Sequence, residues 1–69
     1  MVDTQLLDEK IKSSGLKCGY IVEKLGISRQ AFDRKRNNKY AFRGAEIYVI
    51  CDLLKITDDN EKNRIFFAN

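Results

Sequence analysis

Sixty-nine residues hold one small domain, which at this size buries roughly 60% of the surface its unfolded chain exposes and depends on good packing. Hydrophobic residues make up 43% and charged residues 33%; no apolar run approaches the ~18 residues of a membrane span and no charged-then-apolar leader is evident, so a cytoplasmic protein is expected. The formal charge is +3 with no histidine, and the two cysteines lack a CxxC spacing, so neither a disulfide framework nor a zinc site has support.

Asp3 or Thr4 caps a first helix whose Leu6, Leu7 and Ile11 mark the buried side and whose Asp8, Glu9, Lys10 and Lys12 mark the wet one. Gly15 ends it, with Leu16 in reach of Ile11. Ile21, Val22 and Leu25 then recur at helical spacing before Gly26, where a left-handed residue stops a second helix over about 17–25. Gly19 in its first turn either permits close approach of a phosphate or is simply tolerated. Ile27 serves twice, packing back on Val22 and preceding a new N-cap at Ser28. Phe32 falls at N4, so Ile27 and Phe32 form a hydrophobic staple. The stretch reads as two helices, about 17–25 and 28–37, locked by the turn Gly26-Ile27-Ser28 in a helix-turn-helix.

At Ile21, Val22, Leu25, Gly26, Ile27, Ser28 and Phe32 the sequence resembles the lambda-repressor/Cro-like helix-turn-helix family, closest to its small single-domain phage-type members. The resemblance extends to a first helix over Thr4–Ser14 and a later helix over Gly44–Leu54. It implies an all-α, compact four- or five-helix bundle of the lambda-repressor-like DNA-binding type. Lys35 stands where that family buries an apolar side chain, and its stem is expected to cover apolar surface.

At 100° per residue, Gln30, Asp33, Arg34 and Asn37 point away from Phe32. The resemblance adds Arg29, at a first-turn position where the family presents a base-reading residue. Arg29, Gln30, Asp33 and Arg34 are therefore the expected base readers: arginine bonds guanine O6 and N7, glutamine bonds adenine N6 and N7, and Asp33 either accepts from cytosine N4 or pairs with a neighbouring arginine. Lys17, Cys18, Ser28, Asn37, Asn38, Lys39 and Arg43 are the expected phosphate contacts, from the helix N-termini and the loop that the family lays along the backbone. Tyr40 and Phe42 are expected as lids on the core rather than base-stacking groups.

Phe42 before an N-cap at Arg43 staples to Ile47, and Ile47, Ile50, Cys51 and Leu54 give a strong apolar stripe over Gly44–Leu54. Cys51 is expected in the core as a reduced thiol. Tyr48, Val49 and Leu53 lie off that stripe. Asp58 and Glu61 have capping-box spacing for a short last helix over Asp59–Arg64. The apolar ending Ile65, Phe66, Phe67 within residues 57–69 either tucks under the helices or meets its copy in a partner chain, and dimer contact is the preferred expectation.

Residues 17–43 carry a net charge of +6, against −1 for residues 1–16 and −2 for 44–69, so the excess positive charge sits on the helix-turn-helix and the loop after it. A clustered basic face is the footprint of a polyanion partner. An enzyme is the poorest reading: there is no histidine, phosphate-cradling glycine loop, or nucleophile with a base, and no metal or cofactor is called for. The expected function is a sequence-specific regulator that binds double-stranded DNA, a homodimer on an inverted-repeat operator, with no membrane or small-molecule partner. The alternative is a protein-interaction module, an antitoxin-like or antirepressor subunit presenting its apolar tail. Single-stranded nucleic acid is disfavoured, because no exposed aromatic platform is evident.

Overall fold

Among the described residues five short helices follow one another, and most begin and end on a local signal: α1 (Thr4–Ser14), α2 (Cys18–Leu25), α3 (Arg29–Arg36), α4 (Gly44–Leu54) and α5 (Asp59–Phe66). The computed structural model describes residues 1–68, and among these there is no strand. Asp3, in an extended conformation, caps α1 by accepting the Leu6 N–H at 3.0 Å, and Ser28 caps α3 by accepting the Ala31 N–H at 3.0 Å. Lys17 and Arg43 precede α2 and α4 without a side-chain acceptor of their own.

The corner between α2 and α3 is built as the residue types dictate. Gly26 takes φ 71°, its N–H reaches the Glu23 and Val22 carbonyls, and the Ile27 N–H returns to Val22 O at 3.3 Å. Ile27 and Val22 are both partly buried against the core. Gly15 (φ 74°) ends α1 similarly, but Ser14 relays the second bond: the Leu16 N–H donates to Ser14 Oγ, which donates to Ile11 O at 2.6 Å.

Two helices end in the left-handed region without glycine. Asn38 (φ 66°) follows α3 and sends the Lys39 N–H back to Arg34 O at 2.8 Å; Lys55 (φ 57°) follows α4 and sends the Ile56 N–H back to Cys51 O at 2.8 Å.

Each helix places one fully buried side chain at the centre: Leu7, Ile21, Phe32, Ile50 and Ile65. Burying each contributes about 1.5–3 kcal/mol, and eight-residue helices such as α2, α3 and α5 are marginal without it. α4 packs on α2 and α1, α5 on α1, and α3 on α2. Phe42 in the loop meets Phe32 edge-on at 6.2 Å and Phe66 at 5.8 Å between ring centroids, tying loop, α3 and α5 into one aromatic cluster.

α5 runs two residues beyond the expected Arg64, and this corrects the expectation for the tail. Ile65 and Phe66 are 0% and 3% exposed within the chain's own core, so neither is free to form a dimer contact; only Phe67 is exposed. The backbone seals this arrangement, with Asp3 N–H donating to Ile65 O at 2.7 Å and Ala68 N–H donating to Met1 O at 2.9 Å. The capping box at Asp58 is also different: Asp58 accepts from the Asn60 N–H, while Glu61 reaches Lys10 Nζ on α1 at 2.9 Å.

Candidate functional site

α3 is attached to the body through one apolar side chain, and that fixes its rotation. Phe32 is fully buried, so Gln30 and Arg34, each about 200° away around the helix, face solvent. Both are exposed, and neither side chain has a hydrogen-bond or ion-pair partner among the described residues. Asn37 lies on the same side, though its Nδ2 donates to Asp33 O at 2.8 Å and helps close the helix end.

Arg29, Asp33 and Arg36 fall within about 60° of one another on one flank of α3. Asp33 Oδ1 lies 3.6 Å from Arg29 Nε and 3.2 Å from Arg36 Nη2, so Asp33 is the ion-pair partner of both arginines, although this oxygen accepts no hydrogen bond among the described residues. Arg29 remains 59% exposed, and so open a pair holds it by little net free energy. Arg36 does not: its guanidinium lies 5.4 Å from the Phe32 ring centroid, 3.7 Å from Asp8 Oδ1 on α1 and 3.9 Å from Cys18 Sγ on α2. It bolts α3 to both neighbours, and Cys18 is half-buried against it rather than presented to solvent.

Lys35, on the other flank of Phe32, is also turned inward. Its Nζ lies 2.7 and 2.8 Å from the two carboxylate oxygens of Glu46 in the first turn of α4, with the side chains 14% and 10% exposed. Glu46 Oε1 accepts the Arg43 N–H at 2.9 Å as well. Burial pushes the Glu46 carboxyl up, but the hydrogen bonds from Lys35 and the Arg43 N–H, with the charges of both residues, outweigh it and hold it below the usual glutamate value. Glu46 was not among the expected site residues. The signal was its place three residues after the Arg43 N-cap, where glutamate reaches back to a cap N–H.

The charge available to a partner therefore differs from the formal count. Arg29, Lys35 and Arg36 have carboxylate partners, whereas Lys17, Lys24, Arg34, Lys39 and Arg43 have none among the described residues. Lys17 precedes α2, Lys39 and Arg43 lie in the loop after α3, and all three are exposed, as are Ser28, Gln30 and Arg34. Lys24 extends over the Tyr20 ring at 5.4 Å.

Asn38 also has a role in the fold. Its side chain donates through Nδ2 to Val2 O at 2.9 Å and accepts the Val2 N–H at 2.7 Å, so both ends of the amide serve the fold and one Nδ2–H is left over. Tyr40, 59% exposed, is not a lid; Phe42 is. Comparison with known protein families, curated proteins and solved structures finds no match to this chain.

Proposed function

We propose that this chain is a sequence-specific double-stranded-DNA-binding regulator of the lambda-repressor/Cro-like helix-turn-helix type, acting in the cytoplasm of a bacterial host as a phage or mobile-element repressor. α3 enters the major groove, Gln30 and Arg34 read base edges, and Arg29 joins them after releasing Asp33. Lys17, Lys39 and Arg43, with the backbone N–H groups at the starts of α2 and α3, hold phosphates on either side. Two copies bind an inverted repeat, and regulation follows from occupying the site, with no chemistry.

One observation carries this reading: α3 turns its two unpartnered hydrogen-bonding side chains, Gln30 and Arg34, outward, while Lys35 and Arg36 are neutralised against the body. A helix merely solvated for solubility has no need to sort its cations this way.

The direct test is titration of labelled duplex DNA across a range of salt concentrations. Three phosphate-neutralising cations per protomer give a slope of log affinity against log salt of about −3 per protomer. A slope near zero, or affinity no higher for duplex than for uncharged polymer, contradicts a DNA interface.

A further inference from the structure

Lys35 and Glu46 form the one well-buried ion pair among the described residues, and it joins the two halves of the proposed interface. Lys35 is in the last turn of α3, the proposed reading helix. Glu46 is in the first turn of α4, and through Oε1 it also grips the N–H of Arg43, one of the proposed phosphate contacts. Between them lies the loop 37–43, which carries Lys39.

Stability alone does not call for this pair. Two charges removed from water give back little net free energy, and well-packed apolar side chains of similar size hold such a site equally well or better. What three convergent hydrogen bonds supply is direction. A carboxylate held by two bonds from one ammonium and one from a backbone N–H has a defined position, whereas two apolar side chains slide over one another.

We propose that the Lys35–Glu46 pair is a positioning device that sets the register between base-reading α3 and phosphate-holding Arg43, and so determines sequence discrimination rather than affinity for DNA as such. The proposal rests on the DNA-binding reading above. Lys35 itself touches no DNA, its charge being neutralised inside the chain. Arg43 is placed by its backbone: the N–H bond to Glu46 fixes where α4 starts and hence where the Arg43 side chain leaves the surface.

The experiment compares the wild-type chain with the double variant Lys35→Met/Glu46→Leu, which leaves no charge unpaired. Three quantities are read: thermal melting by circular dichroism, hydrogen exchange of the Arg43 amide in the free protein, and affinity for a selected duplex against a random one. The expected result is a cooperative melt, Arg43 exchange at least tenfold faster, selected-site affinity at least tenfold weaker, and random-duplex affinity within about twofold of wild type. Unchanged Arg43 exchange, or faster exchange with the site preference intact, overturns the positioning role. If the first variant fails to fold, Lys35→Met/Glu46→Gln, which keeps an acceptor for the Arg43 N–H but loses both bonds from the ammonium, decides the matter by site preference alone: selected-site affinity at least tenfold weaker with random-duplex affinity within about twofold is expected, and an intact preference overturns the positioning role. A wild-type chain that prefers no duplex sequence sinks the DNA-binding reading itself, whatever the variants do, so the two failures are distinguishable.

Discussion

Asn38 holds Val2 by two hydrogen bonds running in opposite directions, from its Nδ2 to Val2 O at 2.9 Å and from the Val2 N–H to its Oδ1 at 2.7 Å, across 36 positions of sequence. The same residue occupies the left-handed region that ends α3. Asparagine is suited to both tasks: it tolerates positive φ better than other side-chain-bearing residues, and its amide both donates and accepts. The chain's first residues, the end of α5 and the loop after α3 are thereby fastened to one another.

Asn38→Ala removes both bonds and puts an alanine at φ 66°. A loss of about 1–3 kcal/mol is expected, which for a domain of this size lowers the melting temperature by roughly 4–24 °C. Asn38→Gly relieves the backbone but not the bonds, and should fall between the two in a thermal melt. Equal melting of all three chains would mean the clamp carries no stability.

Lys55→Gly tests the other non-glycine left-handed stop. Lys55 sits at φ 57° with no ion-pair partner among the described residues, and Ile56 behind it is buried. Relieving a left-handed side chain is worth about 1 kcal/mol, so the glycine variant should melt a few degrees higher. A lower melting temperature would show that the Lys55 side chain contributes more than its backbone strain costs.

The helix pattern was legible where one residue type carries the signal. Gly15, Gly26, Ser28 and the spacing of Ile21, Val22 and Phe32 mark α1, α2 and α3 to within a residue. The left-handed stops at Asn38 and Lys55 were not: adjacent Asn37 and Asn38 are equally suited to that conformation and lysine gives no signal for it; bonds from Lys39 and Ile56 back to the preceding helix hold them there. α5 was read too short, and its Ile65 and Phe66 as a dimer contact, because its apolar residues are bunched at its end and no glycine marks its stop. Of the site, the outward set Gln30 and Arg34 followed from Phe32 alone. The roles of Asn38, Arg36 and Lys35 depend on Val2, Asp8 and Glu46, partners 11 or more positions away that helix geometry does not foretell.

Glu46 makes stability pH-dependent with a definite sign. Its folded-state pKa lies below the ordinary value, so the unfolded chain binds the proton more readily. Its contribution is complete above the unfolded value of ~4.3 and is lost as pH falls through the lower folded value. In urea titrations between pH 6 and pH 3, wild type should lose more stability than Glu46→Gln. Parallel curves would show that the carboxylate's pairing with Lys35 and the Arg43 N–H has no energetic consequence.

The two thiols should differ in reactivity. Cys51 is 9% exposed, and burial pushes its thiol up, so it remains protonated at neutral pH. Cys18 is half-buried at the start of α2. Under limiting iodoacetamide, mass spectrometry of the folded protein should find Cys18 modified well before Cys51, with both modified alike in urea. Equal rates in the folded chain would show that the α4 face opens readily.

Arg34 and Lys39 should separate base reading from phosphate holding. Arg34→Ala is expected to cost about 1–3 kcal/mol on a selected site and to relax discrimination at one base pair, whereas Lys39→Ala should weaken selected and random duplexes alike and reduce the salt slope by about one. Identical behaviour of the two variants in competition titrations would abolish that division of roles.

The central claim, that α3 reads a DNA sequence, is tested most directly by selecting binders from a random duplex library with the purified chain at near-physiological salt and sequencing what is retained. Enrichment of an inverted repeat with half-sites about 10 base pairs apart, lost on replacing Gln30 and Arg34 with alanine, is the expected result. Retention without any shared sequence would contradict it and leave only a basic surface.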